Sequence, residues 1–416
     1  MCPMSNRRVV VTGLGAITPI GNTVSEFWQN TLNGSVGIGM ITSFDVSDTK
    51  VKLAAEVKNF EPKKHFDRKW VKRLDRFTQF GMVAAREAYE DAELKSYALD
   101  RDRVGVCMGT GVGGMTTLQS EFGQYYNNGA NYVSPICVPK FLPNMVTGNI
   151  SRDLDLRGLS STVVTACAAG NNAIGEAYRA IKHGYADVML AGGAEACISP
   201  LMMAGFNNMN ALSENENPKR ASIPFDAERN GFVLGEGAGV LVLEDYQHAK
   251  ARGVHIYAEI KGYGFTSDAH HLTAPHPQGE GAYKAMKLAL KEAHIKSEDV
   301  SYINAHGTST PLNDAIETKA IKKILGEKAE KKPISSTKSM IGHLQGAAGA
   351  VEAIACIKSI KQQKIHGTSG YQIKDEECDL DYVTEGSRQL KIQHVMSNSF
   401  GFGGHNAVVI FSKIDD

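Results

Sequence analysis

Three side chains of this sequence stand where a nucleophile and its partners would stand. Cys167 lies in Val163-Val-Thr-Ala-Cys-Ala-Ala-Gly-Asn-Asn-Ala-Ile-Gly, where a β-branched run passes into a small-residue helical stretch. Backbone N–H groups at a helix start are unpaired and partly positive, so they favour the thiolate, the nucleophilic form. The N–H of the cysteine itself can face an oxyanion. Ala168, Ala169 and Gly170 leave room for a substrate to approach. A lone cysteine is more often a small buried hydrophobe, and the strand–Cys–helix context offsets that only in part. Other elements must supply the rest.

His306 follows a strand pattern in Tyr302-Ile-Asn-Ala-His-Gly-Thr-Ser-Thr-Pro. His343 lies between a strand and a helix in Ser335-Ser-Thr-Lys-Ser-Met-Ile-Gly-His-Leu-Gln-Gly-Ala-Ala-Gly. A neighbouring glycine lets the chain turn and the ring enter a cleft. Either histidine taken alone reads as structural; placement at strand ends strengthens the functional reading, because α/β sheets carry their sites there. Lys338 shares a turn with His343 and reads either as a solvated charge or as a group that tunes the site. Phe400-Gly-Phe-Gly-Gly-His-Asn is either a tight turn or an aromatic gate, built on Phe400 and Phe402, with a backbone N–H donor.

Two further patterns carry less. Gly109-Thr-Gly-Val-Gly-Gly matches GxGxxG after a strand, but no acidic residue follows at the ribose-binding distance. His270, His271 and His276 lack the spacing and the partners of a zinc set, and no catalytic metal is expected. The seven cysteines, from Cys2 to Cys378, are scattered without a CxxC pair, which fits reduced thiols rather than a disulfide framework.

Lys+Arg and Asp+Glu are 45 each in 416 residues, so bulk charge gives no affinity for nucleic acid or membrane. The N-terminus runs from Ser5-Asn6-Arg7-Arg8 into a valine run that Gly13 and Gly15 soon break, unlike a signal peptide. No apolar run reaches a membrane span. A soluble, cytoplasmic protein is expected.

Short β-branched runs alternate with amphipathic stretches, which predicts an α/β fold. Strands are expected at 8–12, 104–108, 161–166, 188–191, 239–243, 300–305, 333–336, 395–397 and 407–411. Helices are expected at 77–92, 168–183, 281–293, 314–325 and 346–362, with Gly184 as a C-cap. A weak repeat runs through this order. Residues 77–111 and 281–308 both run helix, strand, glycine turn. Thr165-Ala-Cys-Ala-Ala-Gly and Leu344-Gln-Gly-Ala-Ala-Gly each open a helix, and each half then reaches a strand ending in glycines. The expected division is an N-terminal half, 1–255, carrying the cysteine, and a C-terminal half, 256–416, carrying both histidines.

At this point the sequence resembles a known family, the β-ketoacyl-[acyl-carrier-protein] synthases of the thiolase superfamily, in particular the type II condensing enzymes. The resemblance covers nearly the whole chain. It rests on Val9-Val-Thr-Gly-Leu-Gly, Thr165-Ala-Cys, Pro224-Phe-Asp-Ala-Glu-Arg-Asn-Gly-Phe-Val-Leu-Gly-Glu-Gly-Ala-Gly, Asn304-Ala-His-Gly-Thr-Ser-Thr-Pro, Lys338-Ser-Met-Ile-Gly-His and Asn398-Ser-Phe-Gly-Phe-Gly-Gly, in fixed order.

The resemblance implies a thiolase-like five-layered αβαβα fold, a homodimer and a Cys-His-His site. Cys167 would take an acyl group from the phosphopantetheine arm of acyl-carrier protein. His306 and His343 would promote decarboxylation of the malonyl unit and stabilise the enolate oxygen. Backbone amides of Cys167 and Phe402 would form the oxyanion hole, Lys338 would support His343, and Phe402 would gate entry. Thr308 and Thr310 would meet the phosphopantetheine arm. No cofactor is implied beyond that carrier-borne arm. A structural monovalent cation is associated with the positions of Asn304, Glu352, Ser397 and Asn398.

Acyl-carrier protein is acidic, so a neutral enzyme needs a local basic patch. The stretch Lys63-Lys-His-Phe-Asp-Arg-Lys-Trp-Val-Lys-Arg offers one through Lys69, Lys72 and Arg73, which read equally as a solvated helix face. Asn171-Asn172, Ile341 and Gln345 differ from frequent family choices without removing a catalytic group. A thiolase would carry a second cysteine near the turn at 400–406, and a synthase of type III would carry Asn at 343. A non-catalytic chain-length subunit would lack Cys167, and the fold signals of a papain-like protease are missing.

Overall fold

The structure is a computed structural model that describes residues 7–414, so Cys2, Ser5 and Asn6 lie outside the described residues. Ten strands form one sheet: β1 (Val9–Ile17), β2 (Val104–Gly109), β3 (Ser160–Val163), β4 (Val188–Glu195), β5 (Gly237–Asp245), β6 (Ala258–Ser267), β7 (Val300–Asn304), β8 (Ile334–Ser335), β9 (His394–Gly401) and β10 (His405–Ser412). Their spatial order is β8-β7-β9-β10-β6-β1-β5-β4-β2-β3.

That order contains the same five-strand unit twice. From its outer edge inward the first half runs β3-β2-β4-β5-β1 and the second β8-β7-β9-β10-β6. The directions repeat as well. β2 is parallel to β3 and β4, as β7 is to β8 and β9. The remaining neighbours within each half are antiparallel. The first strands of the two halves meet, with Val9, Val10 and Val11 of β1 opposite Ile260, Glu259 and Ala258 of β6 in an antiparallel join. The duplication read from the sequence is therefore a duplication of topology.

Seven helices give this sheet its layers: α1 (Arg76–Asp91), α2 (Met115–Asn128), α3 (Met145–Leu154), α4 (Ala169–Lys182), α5 (Glu280–Ala293), α6 (Pro311–Leu325) and α7 (Ala348–Gln362). α1 and α3 pack on the outside of the first half, and α5, backed by α6, on the outside of the second. α4 and α7 lie between the halves and touch strands of both. The result is a five-layered αβαβα sandwich. With both faces covered, β1, β2, β4 and β5 are buried along their whole length, which is why they read as continuous apolar runs rather than alternating ones.

The expected elements are present with shifted ends. α4 begins after a 3₁₀ turn at Ala166–Ala168 and is capped by His183, with Gly184 one residue beyond at φ +80°. β6 was not expected, because Ala258-Glu-Ile-Lys-Gly-Tyr-Gly-Phe interrupts its apolar residues with two glycines. Those glycines are what let the strand lie against a helix. A Cβ on Gly264 would fall 1.9 Å from the carbonyl oxygen of Ala285 in α5. The exposed helix α2 was also missed, since only Thr117 along it is buried and the sequence shows no inward stripe.

Candidate active site

Cys167 stands just before the start of α4. Ala166 takes up the left-handed conformation, φ +49°, and so turns the chain sharply from β3 into the 3₁₀ turn and the helix. The start of α7 repeats the device with Gln345 at φ +48°. A non-glycine residue held there carries about 1–3 kcal/mol of strain that surrounding structure must hold in place. The two helix starts touch backbone to backbone. A Cβ on Gly170 would lie 2.8 Å from the Ala350 nitrogen, and one on Gly349 would lie 2.8 Å from the Asn171 nitrogen.

Three side chains meet over this crossing. Ligand-type atoms of Cys167, His306 and His343 all lie within 4.8 Å of one another, and all three residues are buried. The imidazole rings stand nearly perpendicular, at 82° with centroids 5.4 Å apart. Phe400 lies edge-on to His306, and Phe232 to His343. One cavity of about 360 Å³ opens onto the cysteine and both histidines, lined also by Phe400, Phe402, Thr308, Thr310 and Gln345. The sequence-predicted nucleophile, both histidines, both aromatic residues and both threonines thus share one chamber. Thr308 and Thr310 pair through their hydroxyls at 2.8 Å.

Burial pushes the Cys167 thiol up to about 12; the Lys338 charge and the N–H groups of Phe402 and Cys167 itself act in the opposite direction. Those two N–H groups are the pair expected to face an oxyanion. Gly401 brings the Phe402 turn so close that a Cβ there would lie 3.2 Å from the Cys167 nitrogen and 2.7 Å from the Thr165 oxygen.

Both histidines are held well below their ordinary range, first by burial and then by the Lys338 charge, with His343 adding to the effect on His306. They are neutral at physiological pH. His343 Nδ1 accepts the backbone N–H of Gln345 at 3.2 Å, so the proton of the neutral ring sits on Nε2. That Nε2 is buried without a protein partner, as is Nδ1 of His306. The arrangement offers an N–H donor to an incoming oxygen. It suits a metal poorly, because Nε2 could ligate only if Nδ1 carried a proton facing the Gln345 N–H.

Lys338 is 1% exposed and ion-paired with the fully buried Glu352 of α7. It does not line the cavity; it acts on the three central residues through its charge. Two carboxylates that the sequence reading did not single out hold the loops. Glu317 of α6 accepts the N–H groups of His306 and Gly307 at 2.9 and 2.8 Å, and burial raises it to about 7. Glu195, at the end of β4, accepts the N–H groups of Gly111 at 2.5 Å and Gly346 at 3.1 Å, and is likewise raised by burial to about 7. The GxGxxG turn is therefore pinned by a carboxylate. The signal for Glu317 was present: an acidic residue on the helix that follows the histidine turn.

Among the positions associated with a cation, Asn304 Oδ1, Glu352 Oε2 and Ser397 Oγ are buried without hydrogen-bond partners. Oxygen donors with one carboxylate suit a hard cation. Asn398 Oδ1 is likewise buried without a hydrogen-bond partner, while its amide nitrogen donates to Glu317 at 3.1 Å. Lys69, Lys72 and Arg73 lie on a short exposed helix, Arg68–Arg73, and none of them lines the cavity. His270, His271 and His276 sit in the loop after β6, where His271 Nδ1 accepts backbone N–H groups of Thr273 and Ala274, each at 3.1 Å.

Comparison with known proteins places this geometry. Residues 6–249 match the family described as "Beta-ketoacyl synthase, N-terminal domain", and residues 257–372 match "Beta-ketoacyl synthase, C-terminal domain". A 3-oxoacyl-[acyl-carrier-protein] synthase 2 of Staphylococcus aureus (strain COL) is 50% identical over 410 residues, 99% of either chain. The protein of the same name from Synechocystis is 49% identical over 414 residues, covering 99% of this chain and 100% of that one. A ketosynthase bound to a hexaketide, in complex with its type II PKS acyl-carrier protein, superposes with a TM-score of 0.91 at 36% identity, covering 98% and 100%.

Proposed function

Since the chain belongs to the β-ketoacyl synthase family and is an acyl-transferring condensing enzyme, we propose that it elongates acyl chains by decarboxylative condensation with malonyl-acyl-carrier protein, using Cys167, His306 and His343. One observation carries the reading: the sulfur and both imidazoles, brought from both halves of the fold, converge on one cavity.

The thiolate of Cys167 attacks the acyl thioester of the carrier. The carbon–sulfur bond to phosphopantetheine breaks, and the thiol proton ends on the departing arm. The tetrahedral oxyanion is received by the N–H groups of Cys167 and Phe402. A malonyl thioester then enters past Phe402, its arm running by Thr308 and Thr310. Its carboxylate leaves as CO₂, and the bonding electron pair moves onto the thioester oxygen. His343 Nε2–H donates to that oxygen, and neutral His306 serves as the second donor. The enolate carbon attacks the acyl-Cys167 carbonyl, a carbon–carbon bond forms, and the thiolate is expelled. Neutral imidazoles suit this step, since they provide N–H donors without leaving a charge buried once the carboxylate has gone. Lys338, paired with Glu352, supplies the positive charge that favours the thiolate.

We assign acyl-carrier protein as the partner, met by the exposed patch of Lys69, Lys72 and Arg73. Homodimerisation is favoured at the β3 edge. There Ser160 and Ser161 are exposed, Val164 is 51% exposed, and among the described residues only β2 pairs with the strand. Unpaired edges attract a further strand. By contrast, β8 at the other end is covered, with the Ile334 N–H taken by Asp381. Among the described residues no helix is long and apolar enough to cross a membrane. A monovalent cation held by Asn304, Glu352, Ser397 and Asn398 would serve the structure, not the reaction. The test is incubation with acyl- and malonyl-carrier protein, with mass detection of acylated Cys167 and of the β-ketoacyl product. Turnover without acylation at residue 167 would reject the proposal.

A further inference from the structure

Gln345 is a polar side chain at a place that otherwise calls for none. It is 8% exposed and lines the reaction cavity beside Cys167. Its carboxamide oxygen accepts the S–H of Cys167 at 3.5 Å. Its carboxamide nitrogen is buried and has no hydrogen-bond partner among the described residues. An orphaned buried donor costs roughly 1–3 kcal/mol, so a state that gives it an acceptor is favoured by about that amount. Its backbone is held in place from two sides: its own N–H is given to His343 Nδ1, and the next N–H, of Gly346, to Glu195. The side chain therefore stays fixed against the sulfur while its terminal amide can turn.

We propose that Gln345 is a catalytic partner of the nucleophile that serves both of its protonation states by rotation of its carboxamide. In the resting enzyme the oxygen accepts the S–H. When the proton leaves, rotation about the last side-chain torsion brings the N–H₂ group to the sulfur, where it donates to the thiolate. Gln345 neither gains nor loses a proton. The balance is that of the transfer itself: the thiol and the carrier thioester give acyl-Cys167 and the free carrier thiol. The need for such a donor follows from burial, which opposes thiolate formation, while the Lys338 charge that acts against that effect is engaged with Glu352. This inference rests on Cys167 as the nucleophile.

The test reads the sulfur directly. Alkylation of Cys167 by iodoacetamide is followed by peptide mass across pH 7 to 9 in the parent enzyme, Q345L, Q345M and Q345E. Loss of one donor to a charged group predicts about tenfold slower alkylation in Q345L and Q345M, and a larger loss in Q345E, whose carboxylate can only repel the thiolate. Malonyl decarboxylation does not need the thiolate, so in Q345L and Q345M alkylation should fall by a larger factor than decarboxylation. Alkylation rates equal to the parent's would overturn the proposal. So would parallel loss of decarboxylation in both neutral variants, which marks a packing role. If the parent itself is not alkylated at Cys167, it is the assignment of the nucleophile that fails.

Discussion

Ala166 and Gln345 occupy the same left-handed backbone conformation, φ +49° and +48°, at equivalent points of the two halves. Each begins a 3₁₀ turn that becomes a central helix, so the halves present two matching elbows to one cavity. Only one elbow carries a sulfur. In the other the residue after the elbow is Gly346, whose N–H is tied to Glu195, and the elbow residue itself reaches across to the sulfur.

A β-branched residue tolerates this conformation poorly, whereas glycine accepts it. Ala166→Val should lower stability by about 1–3 kcal/mol, read from denaturant midpoints, while Ala166→Gly should stay within about 1 kcal/mol of the parent. Equal stability of the valine variant would mean that the strained geometry is absent.

The two half-reactions should separate by residue. Cys167→Ala should form no acyl-enzyme and no condensation product yet still release CO₂ from malonyl-carrier protein. His306→Ala and His343→Ala should acylate and lose decarboxylation by about a hundredfold or more. Stopped acylation with intact decarboxylation in a histidine variant would reverse the assigned roles.

Burial keeps His306 and His343 neutral far below their ordinary value of 6.5. Decarboxylation by Cys167→Ala should therefore show no inflection near pH 6.5 and remain level down to about pH 6. Stability follows the same groups. Below about pH 6.5 the unfolded chain takes up protons on these rings that the folded chain refuses, so they withdraw stability as pH falls. Glu195 and Glu317, raised to about 7, have the opposite effect: their contribution is present in acid and is lost as pH rises through about 7. Denaturant midpoints from pH 5 to 8 should show His343→Ala losing less stability on the acid side than the parent.

Reversing the charges of Lys69, Lys72 and Arg73 together should weaken carrier-protein binding by about tenfold or more, and binding by the parent should fall between 50 and 300 mM salt, roughly as screening predicts. Calorimetry or surface plasmon resonance would decide; binding unaffected by either change places the docking surface elsewhere.

Gly401→Ala forces a methyl into the Cys167 turn, within 3.2 Å of its nitrogen. The turn must move, so one N–H of the oxyanion pair is displaced and acylation should fall by about 10²-fold, with decarboxylation less affected. Steady acylation rates in this variant would exclude Phe402 from that pair.

Most of the site was legible because its residues stand beside glycines at strand ends, a local signature that survives in sequence. Cys167, His306, His343 and Phe402, which line one cavity, were picked out that way, and the duplication was visible in Thr165–Gly170 against Leu344–Gly349. Glu195 and Glu317 were not, because each works by accepting backbone N–H groups from loops far away in sequence, which no local pattern records. The hydrogen bond from the Asn398 amide nitrogen to Glu317 was unreadable for a different reason. A motif names consecutive residues together, while a strand sends them to opposite faces. β6 was hidden by the glycines that let α5 settle on it.

The contact of Gly170 with the start of α7 has one further effect. Helices separated by side chains can slide as those side chains change size, but these two rest main chain on main chain. The gap between these two helix starts is a hard stop, set by backbone and not by side-chain size. Phe206 and Met209 line the cavity without taking part in that contact, so a change of size there leaves the two helix starts in place.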